Sequence, residues 1–168
     1  IVSFLSDSKT KTILEIGPGK GILTKNLIKK SNKKKKFIEI DSECIEYLKI
    51  KFDGINDDLI NKDFLKIDLN SFDKPISIIG NFPYNISSQI LFKIYENKNI
   101  INEMVGMFQL EVAERICSNF GTKKYGILSV LIQAFFEVKM MKKIKPQSFY
   151  PIPNVDSAVI RINKKNDS

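Results

Sequence analysis

The residues best suited to chemistry lie in two short motifs. Residues 15–21 read EIGPGKG, and residues 81–84 read NFPY directly after Gly80. A glycine-rich turn lets backbone atoms approach a ligand closely, so the first motif suits a nucleoside cofactor. The second motif offers an amide oxygen, a backbone carbonyl and an aromatic ring, which suit an amino group on a planar base. Together they predict methyl transfer to the exocyclic nitrogen of an adenine.

That nitrogen is a poor nucleophile because its lone pair is delocalised into the ring. The side-chain oxygen of Asn81 and the backbone carbonyl of Phe82 can each accept one amino hydrogen and so expose the lone pair to a methyl sulfonium. Asn81 and Pro83 bracket this corner, and Tyr84 offers a platform on which an extruded base stacks. Alignment and electrostatics would carry the step without a strong general base. The alternative is an Asn-Pro turn beside a core tyrosine.

The glycines of the first motif, Gly17, Gly19 and Gly21, follow a predicted strand and open a predicted helix. Their spacing is GxGxG, whereas dinucleotide-binding folds use GxGxxG. No Walker lysine-serine pair follows them, which disfavours a phosphate cradle. A tight strand-to-helix turn without a ligand remains the structural alternative.

Acidic residues follow two further predicted strands. Glu39 can accept hydrogen bonds from both hydroxyls of a ribose, as in nucleotide-binding α/β folds, whereas Asp41 fits a helix cap better. Asp63 can accept from the amino group of a cofactor adenine, with a solvated loop carboxylate or a helix cap as the alternative. Because such strand ends converge on one crevice of a parallel sheet, we expect these side chains to contact one nucleoside.

The composition limits the classes of function. The chain contains no histidine, which excludes Ser-His-Asp and Cys-His catalysis and His-based metal sites, and we expect no metal. The net charge of +8 favours an anionic partner, nucleic acid before an acidic membrane surface, although a lysine-rich compositional bias is an alternative. Cys44 and Cys117 are predicted to be buried free thiols in a reducing compartment. The apolar runs are too short for a signal peptide or a membrane span.

Strand and helix patterns alternate along the first two-thirds of the chain, which predicts a parallel doubly wound sheet. The predicted strands lie at residues 12–16, 37–40, 59–60, 76–79 and 103–108. The predicted helices lie at residues 22–30 and 110–118, with one capped by Asp41 or Ser42 and one capped by Ser87 or Ser88. The apolar segment 125–136 is ambiguous, and its length favours a helix. Two closing strands at 136–144 and 157–162 have no long helix between them, so we expect that end of the sheet to be antiparallel.

Two further segments carry aromatic or basic residues. Phe149 and Tyr150 lie among prolines, and one ring could cover the second face of the base; a stiff core loop is the alternative. Residues 33–36 are four lysines, which we expect in a solvated helix-to-strand loop at the sheet edge opposite the crevice. Nearer the functional side we expect Lys20, Lys25, Lys123 and Lys124. Residues 163–168 are expected to form a polar tail.

The combined pattern resembles the ribosomal RNA adenine dimethyltransferases, the KsgA (RsmA) family, over nearly the whole chain. The matching motifs are EIGPGKGILT at 15–24, IEID at 38–41, NKDFL at 61–65, GNFPYNIS at 80–87, KYGILSVLIQ at 124–133 and SFYPIPNVDSAV at 148–159.

The resemblance implies an α/β fold: a Rossmann-like class I S-adenosylmethionine-dependent methyltransferase domain over residues 1–168, mostly parallel with an antiparallel end. It implies transfer of methyl groups from S-adenosylmethionine to N6 of two adjacent adenosines near the 3′ end of small-subunit (16S-type) rRNA. The product would be N6,N6-dimethyladenosine, made during ribosome biogenesis. The small-subunit rRNA is then the partner, and we expect a cytoplasmic monomer without a membrane partner.

The resemblance also assigns site residues by matching positions. It places the cofactor at Glu15, Gly17, Gly19, Gly21, Glu39, Ile40, Asp63, Phe64 and Asn81, with Leu65 either touching the cofactor or lying in the core. It places catalysis at Asn81, Phe82, Pro83, Tyr84 and Phe149, where Phe149 is the second stacking ring. Family members also carry an N-terminal segment with a Gln-His-Phe-Leu motif and a C-terminal helical domain. We expect both to be missing from a chain truncated at each end, with the fold retained.

Two other functions remain open from the sequence. The large-subunit methyltransferases of macrolide resistance share the cofactor and catalytic motifs, although YGILSV at 125–130 resembles the small-subunit group better. A non-catalytic ribosome-assembly or nucleic-acid-binding factor is the alternative from another class. The intact motif at 81–84 disfavours it.

Overall fold

The computed structural model, which describes residues 1–6, 8–30 and 32–165, contains one seven-stranded sheet and five α-helices within those residues. The strands are β1 (Thr12–Ile16), β2 (Lys34–Glu39), β3 (Leu59–Asn61), β4 (Ile76–Asn81), β5 (Ile101–Gln109), β6 (Phe136–Ile144) and β7 (Ser157–Lys164). The helices are α1 (Ile22–Lys30), α2 (Ser42–Lys51), α3 (Ser87–Glu96), α4 (Leu110–Cys117) and α5 (Ile127–Phe135).

The strand order is β3-β2-β1-β4-β5-β7-β6. The first five strands are parallel, and β7 runs antiparallel to both β5 and β6. The predicted α/β fold, mostly parallel with an antiparallel end, is confirmed. The order reverses between β1 and β4, and ligands of open α/β sheets bind at such a switch point, beyond the carboxyl ends of the strands.

Both faces of the sheet are covered. Every residue of β1 is buried, as expected of a strand that is covered on both faces. Neighbouring residues of one strand point to opposite faces, so Leu14 and Ile78 join the apolar cluster that includes α3, α4 and α5. Ile13 and Ile79 join the cluster on the face covered by α1 and α2. The core therefore fixes the strand ends from both sides.

Most predicted elements are confirmed, with corrections at their ends. The expectation that residues 33–36 form a loop was wrong, because Lys34, Lys35 and Lys36 open β2 and pair in register with the first residues of β1. Lys34 forms an ion pair with Asp73, 2.5 Å between Nζ and Oδ2. Lys34 is exposed and Lys35 and Lys36 are half-buried, and a partly exposed strand end tolerates lysine, so its sequence looks like a loop. Strand β7 likewise continues through Lys164, and residues 166–168 of the expected tail lie outside the described residues.

The capping predictions divide in the same way. Asp41 caps α2 as expected, with Oδ1 accepting from the Glu43 amide at 2.8 Å. The predicted cap by Ser87 or Ser88 was wrong, because Ser87 is already helical and a 3-10 turn over Tyr84–Ile86 leads into α3. The thiols of Cys44 and Cys117 are free as expected, but both residues are half-buried rather than buried.

One aromatic ring fixes how the chain leaves β4. Gly80 of β4 and Gly106 of β5 are partners in the parallel ladder, and the ring of Phe82 lies over this pair. A Cβ on Gly106 would stand 2.1 Å from the ring, and one on Gly80 would stand 2.7 Å from it. The ring is 1% exposed and meets Phe108 edge-on, 5.1 Å between centroids. Residues 81–84 therefore start from a rigid point.

Within the described residues, no helix has the length and apolar character needed to cross a membrane.

We predict that Gly106→Ala destabilises the fold. The added methyl has no room beneath the Phe82 ring, so the free energy of unfolding should fall by about 1–3 kcal/mol in urea denaturation. Gly126→Ala is the matched control, because no atom lies within 4 Å of a Cβ at Gly126. Equal stability of the two variants would contradict the tight packing.

Candidate functional site

The three glycines of the turn after β1 have left-handed backbones, with φ of 66° at Gly17, 54° at Gly19 and 79° at Gly21. A side chain there would strain the backbone. Their surroundings differ. No atom lies within 4 Å of a Cβ at Gly17 or Gly19, whereas a Cβ at Gly21 would stand 2.3 Å from the ring of Phe52. Gly21 thus serves helix packing, and the other two leave open backbone at the crevice.

Glu39 closes this turn from β2. Its Oε2 accepts from the amide of Gly19 at 2.9 Å, and its Oε1 accepts from the amide of Asp41 at 3.0 Å. Each carboxylate oxygen keeps a second acceptor position for a ligand. Asn61 supports the same strand end, since its side-chain amide donates to the carbonyl oxygens of Glu39 at 2.9 Å and Ile40 at 3.1 Å. Sequence reasoning used Asn61 only as part of a motif and missed this role.

A cavity of about 320 Å³ opens beside these groups. Its lining includes five of the predicted cofactor residues and also Leu65. The five are Gly17, Glu39, Ile40, Asp63 and Phe64. Asp63 also caps the following 3-10 turn, with Oδ1 accepting from the Leu65 amide at 3.0 Å. This cap uses Oδ1, so Oδ2 can accept a hydrogen bond from a ligand. The cavity combines carboxylates with apolar side chains, as a nucleoside requires.

The four other predicted cofactor residues do not line this cavity. Gly19 and Gly21 shape the turn, and Asn81 lines a second cavity. Glu15 lies beneath the turn, 1% exposed, where Thr24 Oγ1 donates to its Oε2 at 2.8 Å. Burial, with a smaller contribution from the charge of Glu39, raises the pKa of Glu15 to about 7. The hydrogen bonds from Thr24 act in the opposite direction. Glu15 thus supports the turn from below.

The second cavity, of about 330 Å³, contains all five predicted catalytic residues. They are Asn81, Phe82, Pro83, Tyr84 and Phe149. Tyr150, Pro151, Pro153 and Met107 complete the lining. Pro83 lines both cavities, so the two adjoin at the end of β4.

Met107 was missed by sequence reasoning. It pairs with Asn81 in the ladder between β4 and β5. Nothing in a single sequence distinguishes a methionine at a cavity from one in the core.

Among the described residues, no group of three or more His, Cys, Asp or Glu residues could hold a metal ion.

A family profile described as "Ribosomal RNA adenine dimethylase" matches residues 1–168. Among curated relatives, the "Ribosomal RNA small subunit methyltransferase A" of Cytophaga hutchinsonii is 49% identical over 157 residues, covering 93% of this chain and 61% of the relative. The protein of the same name from Flavobacterium johnsoniae is 48% identical, covering 92% of this chain and 60% of the relative. The chain thus spans about three-fifths of the length of these relatives.

Solved structures show the same fold. A dimethyladenosine transferase from Plasmodium falciparum superposes with a TM-score of 0.84 at 32% identity, covering 98% of this chain and 60% of that one. The 23S rRNA methyltransferase ErmE superposes with a TM-score of 0.86 at 27% identity, covering 99% and 66%. The TrmK of M. capricolum, solved with S-adenosyl-homocysteine, superposes at 0.67 with 16% identity, covering 98% and 66%, and shows the fold alone.

We predict that Glu15→Gln stabilises the protein in alkaline solution. The folded-state pKa of Glu15 is raised, so its contribution to stability is complete below pH 4.5 and is lost as pH rises through about 7. A glutamine keeps an oxygen for Thr24 and never ionises. Relative to the parent protein, its free energy of unfolding should be higher by up to about 3 kcal/mol at pH 9 and by less than about 1 kcal/mol at pH 5.

Denaturant unfolding at the two pH values measures this difference. Glu46→Gln is the control, since Glu46 is an exposed helix carboxylate whose side chain is paired with Lys49. A benefit of Glu15→Gln that is equal at pH 5 and pH 9 would show that Glu15 does not titrate between them.

Proposed function

Because the chain belongs to the ribosomal RNA adenine dimethylase family, we propose that it transfers methyl groups from S-adenosylmethionine to N6 of adenosines in small-subunit rRNA. The observation that carries this proposal is the pair of cavities adjoining at Pro83. One has acceptors for a nucleoside, and the other has acceptors and aromatic rings for an adenine. The substrate we propose is the pair of adjacent adenosines near the 3′ end, converted to N6,N6-dimethyladenosine during ribosome biogenesis.

The first cavity fits S-adenosylmethionine by the chemistry of its lining. Glu39 has one acceptor position left on each oxygen for the two ribose hydroxyls. Asp63 offers an oxygen to the adenine amino group, and Ile40 and Phe64 supply apolar contact for the adenine ring. The open space at Gly17 allows the backbone to approach the methionine part. When bound, the cofactor supplies an electrophilic methyl group on a sulfonium.

The protein then acts on the target base by holding it. Asn81 Oδ1 and the carbonyl oxygen of Phe82 accept the two amino hydrogens, which aligns the nitrogen lone pair with the adjoining cavity. The buried Phe82 ring keeps this backbone from shifting. Tyr84 and Phe149 would contact the two faces of the extruded base. Asn81 is exposed, so water can take the proton that the nitrogen loses.

Several features support the partner and setting that we propose. The net charge of +8 suits RNA, and the exposed Lys20, Lys25, Lys123 and Lys124 are our candidates for phosphate contacts. We also propose that the protein acts as a monomer. We propose that residues 1–168 form the catalytic domain and that it acts in the cytoplasm.

The small-subunit substrate has more support than the large-subunit alternative. Curated relatives named for the small subunit are 41–49% identical to this chain, whereas the large-subunit enzyme ErmE is 27% identical. Asn81, Tyr84 and the lining of both cavities disfavour a purely non-catalytic factor.

We predict that Asn81→Ala lowers kcat for methyl transfer by about 10²–10³-fold, because one of the two acceptors of the amino hydrogens is lost. Labelled S-adenosylmethionine, with unmodified small subunits and large-subunit RNA tested in parallel, measures the transfer. Mass analysis of nucleosides identifies dimethyladenosine. Asn26→Ala is the matched control, since Asn26 lies exposed on α1. Full activity of Asn81→Ala would contradict the catalytic assignment, and product in large-subunit RNA alone would contradict the substrate.

We predict that Glu39→Gln weakens binding of S-adenosylmethionine and S-adenosylhomocysteine by about tenfold or more. The glutamine NH₂ would oppose an amide that now donates to the carboxylate, and the charge-assisted bonds to the ribose would be lost. Calorimetric titration measures this without RNA. Glu43→Gln, on the exposed start of α2, is the control. Unchanged affinity in Glu39→Gln would place the ribose elsewhere.

A further inference from the structure

We infer that Ser157 is a positioning residue for methyl transfer, because its hydroxyl holds the ring of Tyr84 at the wall of the second cavity. This is the base cavity, in which the target adenine would bind. This inference rests on the proposed function. Tyr84 Oη and Ser157 Oγ lie 2.5 Å apart, and either can donate the hydrogen bond. Ser157 is completely buried, whereas Tyr84 is half-buried and lines the cavity. The fixed partner is therefore the serine, and the ring is the group that it restrains.

Ser157 is held by main-chain contacts on both sides. It is the first residue of β7, and it pairs with Gln109 of β5 and with Ile144 of β6. The residue before it, Asp156, accepts from the amide of Leu110 at 2.9 Å through its carbonyl oxygen. The Asp156 carboxylate also forms an ion pair with Lys145 at 3.2 Å. The hydroxyl of Ser157 thus projects from backbone that is paired with a strand on each side.

The second proposed stacking ring lies in the loop that ends at Ser157. Phe149 lies in the loop over residues 146–156, which leaves the sheet after β6 and returns to it at Ser157. Tyr84 comes from the turn between β4 and α3. The hydrogen bond between Tyr84 and Ser157 therefore joins the turn after β4 to the residue at which the Phe149 loop returns to the sheet. Without this hydrogen bond the Tyr84 side chain could rotate, and the distance between the rings of Tyr84 and Phe149 would no longer be fixed.

A purely structural role predicts a different outcome. A buried serine hydroxyl needs a hydrogen-bond partner in any protein, so removing it lowers stability wherever it lies. A positioning role also lowers kcat/KM for the RNA, through Tyr84 alone. Ser77 provides the matched comparison, because it is equally buried and its Oγ lies 2.5 Å from Thr10 Oγ1, near the start of β4 and away from the crevice.

The test is a double-mutant cycle in the whole protein with Ser157→Ala, Tyr84→Phe and the double variant. Methyl transfer to unmodified small subunits gives kcat/KM, and calorimetry gives the affinity for S-adenosylmethionine. We expect each single variant to lose about fivefold to tenfold in kcat/KM, the double variant to lose no more than either single one, and cofactor affinity to stay constant. Ser77→Ala should keep the parent kcat/KM.

Two activity results would overturn the inference. One is additive losses in the double variant, and the other is a full loss in Ser157→Ala with none in Tyr84→Phe. A parent protein that transfers no methyl group would instead contradict the proposed function.

A measurement without RNA keeps the inference testable in that case. Relaxation of ¹³C-labelled tyrosine rings, with Tyr84 assigned by its loss in Tyr84→Phe, reports the mobility of that ring. We expect Ser157→Ala to increase it and Ser77→Ala to leave it unchanged. A Tyr84 ring as ordered in Ser157→Ala as in the parent protein overturns the inference whatever the activity.

Discussion

The packing of the Phe82 ring over Gly80 and Gly106 is the constraint on which the site depends. Two glycines paired across β4 and β5 leave a flat patch of backbone, and the ring fills it completely. Because that side chain points into the core, its neighbours Asn81 and Pro83 face outward at the end of the strand. A larger residue at either glycine would displace the ring and with it the proposed acceptors of the amino hydrogens. The position of the proposed catalytic corner is therefore set by a contact in the core.

The carboxyl groups of Glu39 and Glu15 illustrate an energetic cost that accompanies preorganisation of the site. Glu39 is held by backbone amides from the glycine turn and from the start of α2, so it needs no rearrangement to receive a ribose. Glu15 lies buried beneath the same turn, where desolvation raises its pKa to about 7. The charge of the neighbouring Glu39 also opposes ionisation of Glu15. A cationic ligand in the adjoining space would relieve that opposition, which is consistent with a sulfonium cofactor.

The sequence predicts what local patterns encode. The buried run of β1 and the strand β6 have the predicted bounds, because apolar and alternating patterns reflect burial directly. The same reasoning failed at Lys34, Lys35 and Lys36 of β2, because a partly exposed strand end has the composition of a loop. The residues that line the second cavity at the end of β4 were predicted through motifs. The contact of Tyr84 with Ser157 spans 73 residues, and no local pattern indicates it. Long-range side-chain contacts follow only from the assembled sheet.

The antiparallel end of the sheet explains how such a contact arises. Strand β6 runs parallel to β5, so it ends at the crevice, and antiparallel β7 begins there. The loop that joins them must therefore lie beside the carboxyl ends of the parallel strands. A parallel crossover would have carried the chain back across a face of the sheet before the next strand could begin. The antiparallel direction of β7 thus brings Phe149 to the base cavity and places Ser157 within hydrogen-bond distance of Tyr84. Both features of the site follow from the direction of this one strand.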